Sequence, residues 1–120
     1  MDLELEEFCN VLKTKFNVIA RENEVGWENT EHYRDELEVD LFPIVVYESL
    51  PDPCLFQVMV FTDKELNDWM LIVPIHPTIK ERLCTIWLKN SEIVDWKKTE
   101  EKNEYVQCSD RKSSNKEERQ

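Results

Sequence analysis

Cysteine and histidine are the side chains of this sequence with the strongest potential for chemistry. The four cysteines, Cys9, Cys54, Cys84 and Cys108, stand far apart, and no pair has the short spacing of a zinc or redox motif. A catalytic thiolate needs a histidine within hydrogen-bond reach. The candidates are Cys84 with His76 and Cys54 with His32, and a helix between His76 and Cys84 would separate those two by roughly 9–12 Å at about 1.5 Å per residue. The sequence therefore predicts unreactive cysteines that pack as small apolar residues.

Carboxylates are the other candidates for chemistry. His32 with Glu28, Glu31 or Asp35 could hold a metal ion on a short helical turn, since residues four positions apart share a face. Glu48 would need an apolar pocket that raises its pKa before it could act as a general acid. Because acids beside a single histidine are common in an acidic loop, we predict no metal site, no cofactor and no catalytic residue. A small enzyme with cysteine or carboxylate chemistry is kept as an alternative.

The charge of the chain indicates which kinds of partner it can bind. The 120 residues carry a formal net charge of −11, and residues 22–52 contain ten acids and one base, Arg34. Such a charge repels nucleic-acid backbones and anionic lipid, so we expect no direct binding to nucleic acid or membrane. The single glycine, Gly26, is too few for the usual phosphate-binding loops. We expect a protein partner, either a basic protein or a second copy of the chain.

The first residues and the cysteine usage predict a cellular location. The opening Met-Asp-Leu-Glu-Leu-Glu-Glu is acidic and lacks the basic and apolar regions of a signal peptide. No apolar run approaches the roughly 20 residues that a membrane span requires. Scattered free thiols suit a reducing compartment. We therefore expect a cytoplasmic or nuclear protein.

The densest apolar content of the chain lies in residues 55–61 and 69–75, on either side of a short charged segment. Both runs have strand length, so they predict a β-hairpin at the centre of a sheet. Alternate side chains point to opposite faces, and both faces of this hairpin are largely apolar. If helices cover one face, the second face needs other cover, and it consists of Phe56, Val58, Val60, Met70 and Ile72. That cover could come from a partner or from aromatic residues of the same chain, Trp27, Tyr33, Trp87 and Trp96.

Before the hairpin, two patterns predict a helix and a strand. Apolar residues recur every three or four positions in residues 3–20, which is typical of an amphipathic helix. Residues 21–35 show no pattern and are interpreted as a loop. Residues 36–41 alternate strictly between acidic and apolar, which predicts a strand. Its water-facing side would carry Glu36, Glu38 and Asp40.

After the hairpin, the pattern predicts helix and then a tail. Thr78 is a suitable N-cap, and apolar residues at helical spacing follow it over residues 78–90. Residues 91–96 would extend this helix or begin a second one. Residues 97–120 are polar and are predicted to be a disordered tail.

Together these elements predict an α+β fold with one domain over residues 1–96. It is an antiparallel meander of three to four strands, flanked by an N-terminal helix and one or two C-terminal helices. Short connections between consecutive strands favour this order.

The predicted function is a non-enzymatic protein–protein interaction module that acts as a subunit or adaptor of a larger assembly. An apolar sheet face would supply contact area, and an acidic strand would orient the partner. An acidic inhibitor that mimics nucleic acid is a further alternative. The predicted partner-binding residues are Trp27, Tyr33, Glu36, Glu38, Asp40, Phe56, Val58, Val60, Met70 and Ile72.

Overall fold

A five-stranded antiparallel sheet dominates the computed structural model, which describes residues 5–99. The strands pair in chain order and are β1 (Gly26–His32), β2 (Cys54–Thr62), β3 (Asp68–Ile75), β4 (Cys84–Lys89) and β5 (Glu92–Lys98). The helices are α1 (Leu5–Phe16) and α2 (Ile44–Ser49), and 3-10 turns occupy Glu22–Glu24, Arg34–Glu36 and Val39–Leu41. The predicted α+β class is confirmed, while the number of strands is higher than predicted.

Helix α1 packs on the first face of the sheet. Phe8 and Leu12 are fully buried, and the ring of Phe8 stacks on Trp87 with 5.4 Å between centroids. The helix ends at Phe16 because Asn17 adopts a left-handed backbone with φ 59°, a conformation that asparagine tolerates. The helix therefore ends four residues before the end of the predicted span, residues 3–20, and residues 3 and 4 of that span lie outside the described residues.

The predicted central hairpin is confirmed as β2 and β3, which pair without interruption from Leu55 with Ile75 to Thr62 with Asp68. Its two sets of side chains enter two separate cores. The set that includes Met59 and Leu71 lies under α1. The other set lies on the second face of the sheet.

The helix predicted over residues 78–90 is wrong, because that stretch contains β4. Ile86 points to one face of the sheet and Trp87 to the other, and both are buried. A strand buried on both faces shows no apolar alternation, so its pattern resembles that of a buried helix. Asn90 and Ser91 follow with φ 52° and 68°, as a two-residue hairpin turn requires, and they lead into β5. No C-terminal helix occurs in the described part of the chain.

The strand predicted over residues 36–41 is also wrong, because 3-10 turns occupy this stretch. The N–H of Leu37 donates to the carbonyl of Arg34 at 3.1 Å. Leu37 and Leu41 pack against the sheet, while Val39 is 44% exposed. Two apolar residues four positions apart suit a helical turn as well as a strand, so the alternation was ambiguous.

Residues 33–50, which we name the covering segment, lie over the second face of the sheet. Val46 and Leu50 of this segment are buried in one cluster with Phe56 and Ile72. The chain itself therefore covers much of the second face, for which the sequence did not decide between cover by a partner and cover by the same chain.

The described residues reach just beyond the last strand, which ends at Lys98. The tail was predicted over residues 97–120; its first two residues belong to β5, and residues 100–120 lie outside the described residues. Between residues 5 and 99, no helix has the length and apolar character needed to cross a membrane.

Candidate partner-binding surface

Strand β1 forms one edge of the sheet and pairs only with β2 among the described strands. Its seven residues pair in unbroken register, from Gly26 with Val60 to His32 with Cys54. We name this strand, Gly26–His32, the β1 edge. Roughly half of the backbone N–H and C=O groups of an edge strand point away from its neighbour. The β1 edge therefore presents polar backbone groups along about 20 Å at roughly 3.3 Å per residue.

Two large apolar side chains are exposed at the start of the β1 edge. Trp27 is 59% exposed and pairs with Met59, which places it on the α1 face. Val60 is 41% exposed and lies on the other face, in one row between Gly26 and Met70. A Cβ atom at Gly26 would approach Cγ2 of Val60 to 3.1 Å, so the glycine leaves Val60 open. Each face of the sheet therefore exposes one large apolar side chain near the start of the β1 edge.

The other predicted residues of the second face are less accessible. Phe56 and Ile72 are 3% and 4% exposed because the covering segment packs on them. Val58 and Met70 are half-buried in the same cluster. Phe56 and Ile72 thus belong to the core, and Val60 is the member of the predicted set that is most exposed.

The predicted acidic residues lie on the covering segment rather than on a strand. Glu36, Glu38 and Asp40 are all exposed. Tyr33 is 57% exposed, and its backbone N–H donates to Oε1 of Glu36 at 2.9 Å. The structure therefore separates the predicted site into the β1 edge with Trp27 and Val60, and a charged outer surface on the covering segment.

Arg34 stabilises the fold of the covering segment through several hydrogen bonds. Its backbone N–H donates to Oδ1 of Asp52 at 2.8 Å, and its carbonyl accepts from the Tyr47 hydroxyl at 3.2 Å. Its guanidinium Nη2 donates to the carbonyl of Leu50. These bonds connect the start of the segment to its end, which keeps its apolar residues on the sheet.

The cysteine and histidine candidates lack the surroundings of an activated thiolate. Burial raises the pKa of Cys54 to about 11 and that of Cys84 to about 12. His76 Nδ1 accepts from the backbone N–H groups of Thr78 and Ile79, at 3.1 and 3.4 Å. These thiols stay protonated near neutral pH, and a protonated buried thiol is a poor nucleophile.

The metal candidate His32 lies in a strand instead of a helical turn. Its Nδ1 is 3.4 Å from Oε1 of Glu36. In residues 5–99, no three His, Cys, Asp or Glu side chains are grouped in a way that could hold a metal ion.

Several cavities border the sheet. One of about 370 Å³ lies beside the second half of the β1 edge, where Leu55, Phe56 and Ile75 contribute its apolar lining. A larger one of about 510 Å³ lies between α1 and the last two strands. Lys15 and Asp95 border this larger cavity and form an ion pair at 2.6 Å. Its rim carries both signs of charge and favours no charged ligand.

The sequence did not indicate the β1 edge itself. Its residues, Gly-Trp-Glu-Asn-Thr-Glu-His, are exposed or half-buried, so no apolar alternation marks the strand. Exposed apolar residues of α2, Ile44 and Val45, were missed as well. The available signal for β1 was weak, namely the strand propensity of tryptophan and threonine.

Comparisons with protein-family models, curated proteins and solved structures found no match for this chain. The functional proposal therefore depends on the chemistry and exposure of the residues described above.

Proposed function

We propose that this protein is a non-enzymatic interaction module that binds a protein partner at the β1 edge, as a subunit or adaptor of a larger assembly. The observation that carries the proposal is the exposure of Trp27 and Val60 on the two sides of one strand pair. Tryptophan is enriched among residues that dominate binding energy at protein interfaces. Val94 and Trp96 are also exposed, on β5, where the register with β4 is shifted. We assign the contact to Trp27 and Val60 because they lie where the pairing of the edge strand is regular.

Charge supports a basic partner. The β1 edge carries Glu28 and Glu31, and Glu22 and Glu24 precede it. The exposed acids of the covering segment, Glu36, Glu38 and Asp40, extend the same charge. Opposite charge on a partner would speed association and orient it.

The proposal is tested by affinity capture from native extract with two double variants. Trp27→Ser with Val60→Ser alters the β1 edge. Trp96→Ser with Val94→Ser is the matched control, since these residues are 37% and 45% exposed on β5 at the opposite edge. We expect the wild type and the control to capture the same partner protein. The β1 variant should recover about tenfold less of that partner, or still less.

The same captured proteins in all three samples would contradict the proposal. Circular dichroism and thermal unfolding of the three proteins would establish that each is folded before capture.

A further inference from the structure

We propose that the β1 edge binds an extended basic segment of the partner, which adds to the sheet as a sixth strand; this inference rests on the proposed function. In such strand addition, backbone hydrogen bonds supply affinity and alternate side chains supply specificity. The proposal follows from a difference between the two edges of the sheet.

The β5 edge has features that discourage strand pairing. The register between β4 and β5 shifts at Trp87 and Leu88, and such bulges disturb an edge. Lys97 and Lys98 stand exposed near the end of β5. Natural proteins use bulges and lysines of this kind to prevent edge-to-edge association.

The β1 edge has none of these features. Its seven pairs with β2 are regular, and it contains neither proline nor lysine. A regular edge strand with unpaired backbone groups is a template for another strand.

The acidic residues of the β1 edge favour a basic partner strand. Glu28 and Glu31 are three positions apart, so their side chains point to opposite faces of the sheet. A partner strand with two basic residues at the same spacing would place one base beside each acid, where opposite charges across strands stabilise pairing. A second copy of this chain would instead bring a further net charge of −11. The expected motif is therefore two Lys or Arg residues separated by two residues of high strand propensity.

Apolar contacts lie at both ends of the strand. Trp27 at the first end is exposed, and its ring can cover an apolar side chain or the aliphatic part of a lysine. The cavity of about 370 Å³ lies at the other end, beside Asn29, Thr30 and Glu31. An apolar residue of the partner strand could enter it.

A synthetic heptapeptide tests the inference directly. The probe is acetyl-Thr-Lys-Val-Thr-Lys-Val-Thr-amide, and two analogues carry N-methyl groups on its odd or its even residues. Only one alternate set of amides in an added strand faces its neighbour. We expect the probe to bind, one N-methylated analogue to lose about tenfold or more in affinity, and the other to bind within about twofold.

Binding of all three peptides with equal affinity, or no binding of the probe, would overturn strand addition.

A probe with glutamate in place of both lysines should not bind, and equal binding of that peptide would overturn the basic motif. Amide exchange should slow in the β1 edge and stay unchanged in β5, and slowing in β5 alone would also overturn the inference.

Protein variants complete the test. Glu28→Lys with Glu31→Lys should weaken probe binding about tenfold or more, whereas Glu65→Lys with Glu92→Lys, two exposed sites away from β1, should leave it within about twofold. If the wild type is a dimer and the β1 substitutions convert it to a monomer, a second copy of the chain occupies this edge. That result would overturn the inference. If a partner depends on Trp27 in the capture experiment while the probe fails here, strand addition fails and the proposed function stands.

Discussion

Asp63 stabilises the turn between β2 and β3 with both oxygens of its carboxylate. Oδ2 accepts from Nε1 of Trp69 at 3.0 Å, and Oδ1 accepts from the N–H groups of Glu65 and Asn67, each at 2.9 Å. These bonds, led by the one from Trp69, lower the pKa of Asp63 below its ordinary value. A carboxylate with a lowered pKa in the folded state contributes stability that is fully present above the unfolded pKa and is lost as pH falls through the folded pKa.

We predict that Asp63→Asn lowers the free energy of unfolding at pH 7 and that this loss shrinks below about pH 4. The asparagine keeps one oxygen acceptor but removes the charge that these donors stabilise. Urea unfolding at several pH values measures the difference. Glu65→Gln in the same turn is the control and should change stability little at any pH. A loss for Asp63→Asn that is independent of pH would contradict the prediction.

The buried thiols give a second prediction at the residue scale. Because burial raises the pKa of Cys54 and of Cys84, little thiolate forms at pH 8. A thiol reagent should therefore modify both cysteines far more slowly in the folded protein than in urea. Peptide-level mass spectrometry after timed labelling measures each rate. Fast labelling of Cys84 in the folded protein would contradict its buried position.

At the scale of elements, α1 is held mainly by apolar contacts. Phe8 is fully buried against Trp87, whereas Lys15 and Asp95 form an ion pair with side chains that are 49% and 31% exposed. Burial of an aromatic ring contributes several kcal/mol, while a solvent-screened ion pair contributes about 0–1 kcal/mol. The packing therefore outweighs the ion pair.

We predict that Phe8→Ala lowers the free energy of unfolding by about 3–5 kcal/mol and that Lys15→Ala lowers it by about 1 kcal/mol or less. Urea denaturation followed by tryptophan fluorescence compares the two variants. A larger loss for Lys15→Ala would show that the ion pair holds the helix.

The covering segment gives a prediction about the second face of the sheet. Arg34→Ala removes the guanidinium bond to the carbonyl of Leu50, and hydrogen bonds of charged donors contribute about 1.5–3 kcal/mol. We expect a loss of that size, with increased binding of a hydrophobic dye as Phe56 and Ile72 become accessible. Arg21→Ala, at an exposed position, is the control. Unchanged stability and dye binding in Arg34→Ala would contradict a role of Arg34 in stabilising the covering segment.

Helix α1 was predictable because its apolar residues recur at the helical period. The β2–β3 hairpin is buried on both faces, and it was predictable because two apolar runs of strand length flank a short charged segment. Strand β4 is also buried on both faces, but a possible N-cap at Thr78 and apolar residues at helical spacing made its stretch resemble a helix. Strand β1 was missed because its residues are exposed or half-buried, so no apolar alternation marks it. Trp27 and Val60 are exposed, but their meeting at one edge depends on β1, which the sequence did not indicate. The pairing of distant segments is a tertiary property that local patterns do not contain.

At the scale of the whole molecule, the two edges of the sheet differ in both charge and regularity. Both edges expose a tryptophan, Trp27 on β1 and Trp96 on β5. The first edge pairs regularly and carries Glu28 and Glu31, while the register of β5 with β4 is shifted and β5 carries two lysines. A net charge of −11 opposes association between copies of the chain, and it would favour approach by the basic partner that we propose. The proposal assigns partner binding to the β1 edge because of these differences.

Photo-crosslinking from the two edges tests this central claim most directly. The crosslinking residue p-benzoylphenylalanine replaces Trp27 in one protein and Trp96 in another, and each is irradiated in native extract. The account predicts a discrete adduct with another protein from position 27 and none of comparable yield from position 96. Absence of an adduct at position 27, or equal adducts at both positions, would contradict partner binding at the β1 edge.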